Sequence, residues 1–223
     1  MIICFLANDL KILLINFFGI LLSITNKHLP NFIEFLFNNF KLRHICVFSI
    51  KKLMKSKKNL VLLGMMGSGK STVGNLISKK LKLKFIDIDN VIEKEANMNI
   101  AEIFSKKGEN FFRNLEEKIT IKSLESSNVV ISLGGGGFVN EKIRKEVITN
   151  NFSFWLNWNN TTLLNRIKNS HKRPIAFCSS DQELVELIEK RKKIYSKADF
   201  EVNCNKLSKT EIVKKIMILY EGN

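Results

Sequence analysis

The chain has 223 residues, of which 45% are hydrophobic and 26% charged, so it is globular and long enough for one ordinary domain or a domain with an appendage. Its net charge of +15 suits several anionic partners, but lysine is spread along the chain and greatly outnumbers arginine. No nucleic-acid partner is therefore predicted. The cysteines are widely spaced and form no CxxC pair: they are Cys4, Cys46, Cys178 and Cys204. This spacing disfavours a zinc site or a disulfide framework, and it favours a reducing, cytoplasmic location.

Residues 1–53 differ in composition from the rest of the chain. They hold nearly half of the 17 phenylalanines but few of the charged residues. The longest uncharged stretch near the start, residues 12–26, is shorter than the ~18 residues that a spanning helix needs, and the features of signal and transit peptides are missing. We expect translation to start at Met54, so that residues 54–223 form the functional domain. A membrane-associated helix and a folded cap are the alternatives for residues 1–53.

Residues 64–72 read GMMGSGKST and follow a short apolar run. They match the pattern G-x-x-x-x-G-K-[ST] at Gly64, Gly69, Lys70 and Ser71. A strand that turns through glycines into a helix points backbone N–H groups and the helix dipole at one anion. Lys70 would reach the outer phosphates, and the Ser71 hydroxyl would take one position on an octahedral Mg²⁺. The stretch predicts a nucleotide-phosphate site formed by Gly67, Ser68, Gly69, Lys70, Ser71 and Thr72.

Strands and helices alternate along the rest of the chain. Strands are predicted over residues 60–63, 84–86, 129–133, 152–156 and 200–202. Helices are predicted over residues 70–81, 100–106, 109–125, 141–149, 161–168 and 181–195, the last capped by Asp181, and a capping box of Ser208 and Glu211 begins a terminal helix. This alternation predicts an α/β fold of three α/β/α layers around a parallel five-stranded sheet.

Asp87 and Asp89 follow the second predicted strand, at the edge where open parallel sheets bind ligands. One carboxylate could hold the water shell of Mg²⁺, while the other accepts a proton or a hydrogen bond from a substrate hydroxyl. The alternative is that Asp89 only caps a helix that begins near Val91. The third predicted strand has no acidic residue at its end, which assigns the Mg²⁺ to Asp87.

Two further arginines are candidate site residues. Arg113 and Glu116 share a helix face in the sequence F-R-x-x-E, and an arginine held by a glutamate is a preorganised clamp for a carboxylate. Arg191 and Tyr195 lie one helical turn apart further along the chain. The alternative interpretations are an ion pair on a solvated helix for Arg113 and a solvent-facing basic run for Arg191.

Two loops complete the set of candidate residues. The glycines at 134–136 follow a predicted strand, and they indicate that the backbone there closely approaches another group. Its amides could donate to substrate oxygens. A polar segment of about residues 169–180 contains Arg173 and Pro174 and is preceded by Arg166. A mobile lid of this kind can exclude water and bring positive charge to a migrating phosphoryl group.

In this order, the motifs resemble those of the shikimate kinase family. The resemblance covers about residues 58–221 and includes the phosphate loop, D-x-D, F-R-x-x-E, the glycine triplet, R-P in the lid and R-x-x-x-Y. It implies a P-loop NTPase fold of the nucleoside monophosphate kinase type. It also implies a monomeric, cytoplasmic enzyme that uses ATP and Mg²⁺ to phosphorylate the 3-hydroxyl of shikimate, on the route to chorismate and the aromatic amino acids.

The resemblance implies a role for each candidate in substrate binding. Shikimate would be held by Asp89, Arg113, Gly135, Gly136 and Arg191, with the two arginines on its carboxylate. Asp89 would orient or deprotonate the attacking hydroxyl.

It likewise implies how the nucleotide is held. Lys70 and Arg173 would stabilise the transferring phosphoryl group, Ser71 and Asp87 would serve Mg²⁺, and Arg166 would lie near adenine. The chain departs from the family at Ile175 and Ala176, where two leucines are usual, and in residues 1–53, which have no counterpart.

The residues alone predict a small-molecule kinase for an anionic, hydroxylated substrate. A gluconate-type or nucleotide kinase of the same fold is one alternative, although a nucleotide kinase must stack a second base. A non-catalytic module that only senses nucleotide is another. The presence of Lys70, Asp87, Asp89 and Arg173 together argues against a silent module.

Overall fold

The computed structural model describes residues 58–169 and 180–223. The predicted extension 1–53, the start at Met54 and most of the lid, including Arg173 and Pro174, lie outside these ranges. Elements are numbered below within the described residues only.

The described chain alternates between strands and helices, as predicted. Its strands are β1 (Leu60–Leu63), β2 (Lys84–Asp87), β3 (Val129–Ser132), β4 (Phe152–Asn157) and β5 (Phe200–Asn203). Its α-helices are α1 (Lys70–Leu81), α2 (Ile88–Ala96), α3 (Ile100–Leu124), α4 (Glu141–Asn150), α5 (Asn160–Lys168), α6 (Asp181–Tyr195) and α7 (Lys209–Glu221), with a short 3₁₀ turn at Gly137–Val139.

The strands form one parallel sheet in the order β2-β3-β1-β4-β5. All four residues of β1 and all four of β3 are buried. Since successive side chains of a strand point to opposite faces, helices must cover both faces of the sheet. The predicted α/β class and five-stranded parallel sheet are confirmed.

Besides shifts of one residue at the ends of several elements, three features of the helices differ from the prediction. Asp181 does not cap α6: Ser180 does, with its Oγ accepting from Glu183 N at 3.2 Å, so that Asp181 becomes the first helical residue. Asp89 does not cap a helix near Val91, because α2 already begins at Ile88 with Asp87 as its N-cap. The two helices predicted over residues 100–125 form α3 with a kink at Gly108, which has φ 82° and ψ 169°.

Asn59 joins three elements at the amino-terminal edge of the sheet. It is 5% exposed, and its Nδ2 lies 3.2 Å from Leu124 O, 2.6 Å from Ser126 O and 2.9 Å from Asn151 Oδ1. Its Oδ1 accepts from Val129 N at 3.2 Å. One side chain therefore fixes the end of α3, the start of β3 and the end of α4 against β1.

We expect Asn59→Ala to lower the free energy of unfolding by roughly 2–3 kcal/mol, because several buried polar groups lose their partner together. Urea denaturation followed by circular dichroism measures the change. Asn114→Ala is the matched control, since Asn114 is exposed on α3. A loss in Asn59→Ala no larger than in the control would contradict the role of Asn59.

Candidate active site

The phosphate loop runs from the end of β1 to the start of α1. Gly64, Gly67 and Gly69 have φ values of 139°, 76° and 89°, which side-chain-bearing residues rarely adopt. Gly69 is the N-cap of α1 and supplies no side-chain cap, so the first amides of the helix are left for a ligand. This geometry is compatible with the anion site that the sequence predicts.

Lys70 lies in the loop with only 6% of its surface exposed. Its Nζ donates to Gly64 O at 2.9 Å and to Met65 O at 3.1 Å. Ser71 and Thr72, by contrast, are exposed on the first turn of α1. The ammonium group is therefore held at the loop, where a nucleotide phosphate would compete with the two carbonyl groups for it.

A cleft of about 340 Å³ opens beside the loop and brings half of the predicted site residues together. Its lining includes Ser71, Asp87, Asp89, Arg113, Glu116, Gly135, Gly136 and Arg191. These residues come from six different elements and loops. A larger groove of about 520 Å³ between β2, α2 and α3 shares only Asp87 and Asn90 with this cleft, so it is not the predicted site.

Ser71 and Asp87 fit a magnesium ion by their donor chemistry. Both line the cleft, and Asp87 Oδ1 also accepts from Asn90 N at 3.4 Å as the cap of α2. Within residues 58–169 and 180–223, no group of three or more His, Cys, Asp or Glu side chains is arranged to hold a metal. Mg²⁺ commonly takes one or two protein oxygens and completes its shell with water and phosphate, so two donors suffice.

Arg113 is held by a buried glutamate. Its Nη1 donates to Glu116 Oε2 at 2.8 Å, and Glu109 Oε1 lies 3.1 Å from its Nη2. The side chain of Glu116 is 3% exposed and that of Arg113 is 32% exposed. The alternative of a solvated surface pair is therefore wrong for Glu116, and the clamp interpretation fits the geometry.

The carboxyl group of Glu116 lies in an unfavourable place for a negative charge. Burial raises its pKa, and the nearby Asp89 carboxylate acts in the same direction. Arg113 and Arg191 oppose the shift without cancelling it, so the pKa of Glu116 stays above its ordinary value. The cleft thus holds two carboxylates and two guanidinium groups, and Asp89, Arg113 and Arg191 all act on the charge of Glu116.

The glycine loop after β3 packs directly on these charged groups. A Cβ on Gly134 would lie 2.5 Å from Glu116 Oε1 and 2.7 Å from Asp89 Oδ1, and a Cβ on Gly136 would lie 2.5 Å from Arg113 Nη1. Real Cβ atoms do not approach so closely. The glycines predicted to allow a close approach therefore make room for the acidic and basic side chains of the site.

Arg191 and Tyr195 are both buried residues of the basic helix α6. Arg191 is 9% exposed, and its Nη1 lies 3.6 Å from Met65 Sδ, whereas Lys190 and Lys193 are exposed. The Tyr195 hydroxyl donates to Gly135 O. The alternative of a solvent-facing run is thus wrong for Arg191, which lines the cleft.

Trp158 is a contact residue that the sequence did not indicate. It follows β4, and its Nε1 donates to Ser68 O of the phosphate loop at 3.0 Å. The guanidinium carbon of Arg166 lies 3.9 Å from the centre of its ring. The only sequence signal is an aromatic residue between a strand and the next helix cap, and that signal is not specific for any partner.

Comparisons with known proteins agree with this geometry. A sequence model described as shikimate kinase matches residues 66–221. The chain is 43% identical to the shikimate kinase of Persephonella marina over 161 residues, which are 72% of this chain and 97% of that protein. It is 40% identical to the Aquifex aeolicus shikimate kinase over 164 residues, covering 74% and 96%.

Solved structures give the same result. Shikimate kinase from Acinetobacter baumannii in complex with shikimate superposes with a TM-score of 0.72 at 27% identity, covering 77% of this chain and 97% of that one. The Aquifex aeolicus enzyme superposes with a TM-score of 0.67, covering 74% and 97%. Among the described residues, no helix has the length and apolar character needed to cross a membrane. The chain belongs to the shikimate kinase family.

Proposed function

We propose that this chain transfers the γ-phosphoryl group of ATP to the 3-hydroxyl of shikimate, with Mg²⁺ bound beside Ser71 and Asp87. The observation that carries the proposal is the cleft itself, in which Asp89, Arg113 and Arg191 lie against the phosphate loop. A carboxylate acceptor for a hydroxyl proton and two guanidinium groups match a small hydroxylated acid.

The substrate carboxylate would bind Arg113 and Arg191, and the ring hydroxyls would face Asp89 and the amides of Gly135 and Gly136. Glu116 holds the Arg113 guanidinium from the buried side and leaves part of it, 32% exposed, to the cleft. An arginine oriented in advance loses less conformational entropy when the carboxylate arrives. Binding at two fixed points also sets which hydroxyl points toward the nucleotide.

In the transfer step, the shikimate oxygen forms a bond to the γ-phosphorus as the bond from that phosphorus to the β–γ bridging oxygen breaks. The hydroxyl proton passes to Asp89 and then to solvent, and ADP leaves with the bridging oxygen. Lys70 and the α1 amides stabilise the negative charge that spreads over the phosphate oxygens. A bound Mg²⁺ would neutralise part of the phosphate charge.

Arg173 of the lid would add positive charge to the transferring group once nucleotide is bound, and Arg166 would contact adenine. Arg166 is exposed and reaches toward Gly67 O at 3.4 Å, so it lies at the rim of the phosphate loop. A base that stacks there would leave its phosphates directed along the loop toward Lys70.

A coupled assay of ADP release tests the acceptor. We expect turnover with shikimate and ATP, and at most a small background with gluconate or nucleoside monophosphates, because neither pairs a ring hydroxyl at Asp89 with a carboxylate at two arginines. Mass spectrometry should find one phosphoryl group added to shikimate. Turnover with gluconate but not with shikimate would overturn the proposal.

We expect Lys70→Met to lower kcat by about 10²–10³-fold while the domain stays folded, because methionine keeps the buried aliphatic volume but removes the charge. Steady-state kinetics and circular dichroism measure the two effects. Lys79→Met is the matched control, since Lys79 is exposed on the same helix. A Lys70→Met enzyme with unchanged kcat would exclude the proposed role of the loop.

We expect Glu116→Gln to raise the KM for shikimate about tenfold, which corresponds to losing a charged hydrogen bond of about 1.5 kcal/mol that orients Arg113. The same change should raise the melting temperature at neutral pH. Since the pKa of Glu116 is higher in the folded than in the unfolded chain, its ionisation destabilises the fold, and glutamine cannot ionise. The gain in stability should shrink as the pH falls through the folded pKa and vanish below the unfolded value.

Thermal melts at several pH values and shikimate titrations check both effects of Glu116→Gln. Glu109→Gln is the matched control, because Glu109 contacts the same arginine from an exposed position. An unchanged KM in Glu116→Gln would exclude Glu116 as the residue that positions Arg113. A lower melting temperature at neutral pH would contradict the direction of the pKa shift.

A further inference from the structure

Trp158 connects the phosphate loop to the residue proposed for the adenine site. It lies between β4 and Asn159, the N-cap of α5, and is 8% exposed. Its Nε1 donates to Ser68 O at 3.0 Å. Because the indole has only this one donor, the bond fixes the rotation of the ring as well as its position.

The guanidinium group of Arg166 lies over this fixed ring. Its guanidinium carbon is 3.9 Å from the ring centre, a short cation–π distance, and its Nη1 reaches Gly67 O at 3.4 Å. A Cβ on Gly67 would lie 3.3 Å from Arg166 Cβ, so the loop and the last turn of α5 are packed together here. One side of the guanidinium plane therefore faces Trp158, while the residue as a whole remains exposed.

An unsupported arginine on a helix surface samples many rotamers, and a flat ligand must arrest that motion when it stacks. The Trp158 ring removes much of the freedom of Arg166 before any ligand arrives. A guanidinium group also stacks well on two aromatic faces at once, since it is planar and weakly hydrated. Because Arg166 remains exposed, an adenine could stack on its side turned away from Trp158.

We propose that Trp158 is a positioning residue for nucleotide binding, which acts through Arg166 by holding the guanidinium plane parallel to the base. The inference rests on the proposed contact of Arg166 with adenine. It adds that the bond from the indole N–H to Ser68 O orients the ring that supports Arg166.

Binding of MgATP and of magnesium tripolyphosphate, measured by calorimetry without shikimate, separates the base from the phosphates. We expect Trp158→Leu to weaken MgATP binding about threefold to tenfold and to leave tripolyphosphate binding unchanged, because only ATP carries a base. The affinity of Trp158→Phe for MgATP should lie between those of wild type and Trp158→Leu, since phenylalanine keeps an aromatic ring. Arg166→Ala should weaken MgATP binding as much as Trp158→Leu does. The double variant should bind MgATP no more weakly than Arg166→Ala alone.

Phe154→Leu is the matched control, because Phe154 is a fully buried aromatic residue of β4. It should lower the melting temperature without changing ATP affinity. Equal weakening of ATP and tripolyphosphate by Trp158→Leu would overturn the inference, because Trp158 would then act on the loop rather than on the base. Additive effects of the Trp158 and Arg166 variants would overturn it too.

Fluorescence tests the same point if Trp158→Leu does not fold. The chain has two tryptophans, so Trp155→Phe leaves Trp158 as the only indole emitter. Its emission should change saturably with MgATP and stay constant with magnesium tripolyphosphate. No response to MgATP would overturn the inference. Because these measurements omit shikimate, their outcome is independent of whether shikimate is the acceptor.

Discussion

The burial of Glu116 is the constraint on which the acceptor side of the site depends, that is, the part of the cleft lined by Asp89, Arg113 and Arg191. A carboxylate with 3% of its side chain exposed is costly unless cations compensate it, and here Arg113 bonds to it directly while Arg191 lies near enough to act on its charge. Asp89 adds a second negative charge to the same small volume. The two arginines do not fully compensate the cost of burying this charge, so the pKa of Glu116 stays above its ordinary value. The surrounding fold holds these charged groups together. The arrangement lowers the stability of the fold, but it keeps the binding groups oriented.

The sheet order explains why these groups meet. β1 lies between β3 and β4, so the chain moves to one side of β1 to make β2 and β3 and to the other side to make β4 and β5. Open parallel sheets bind ligands at such a switch point, beyond the carboxyl ends of the strands. The phosphate loop follows β1, Asp87 ends β2 and the glycine loop follows β3. Residues that are far apart in sequence thus share one cleft because their strands end at the same edge.

Local patterns predict most of the helices and strands, and they identify candidate site residues where the chemistry is local. The phosphate loop and α1 could be located because the glycine spacing itself determines the backbone path. Asp181 was assigned as a cap in place of Ser180, since both residues favour caps and only the observed capping box decides between them. The burial of Glu116 could not be predicted, because F-R-x-x-E occurs equally on a solvated helix. The contact of Trp158 could not be predicted from local patterns, because its hydrogen-bond partner Ser68 is 90 residues away in sequence.

The donor and acceptor halves of the cleft share one wall, the segment Met65–Met66 of the phosphate loop. On its donor side, Met65 O accepts from Lys70 Nζ. On its acceptor side, Met65 Sδ contacts Arg191, and a Cβ on Gly135 would lie 3.3 Å from Met66 N. Any movement of this segment would displace Lys70, which we propose binds phosphate, together with Arg191, which we propose binds the substrate carboxylate. Since phosphoryl transfer depends mainly on positioning, a shared wall is an effective way to keep both reactants in register.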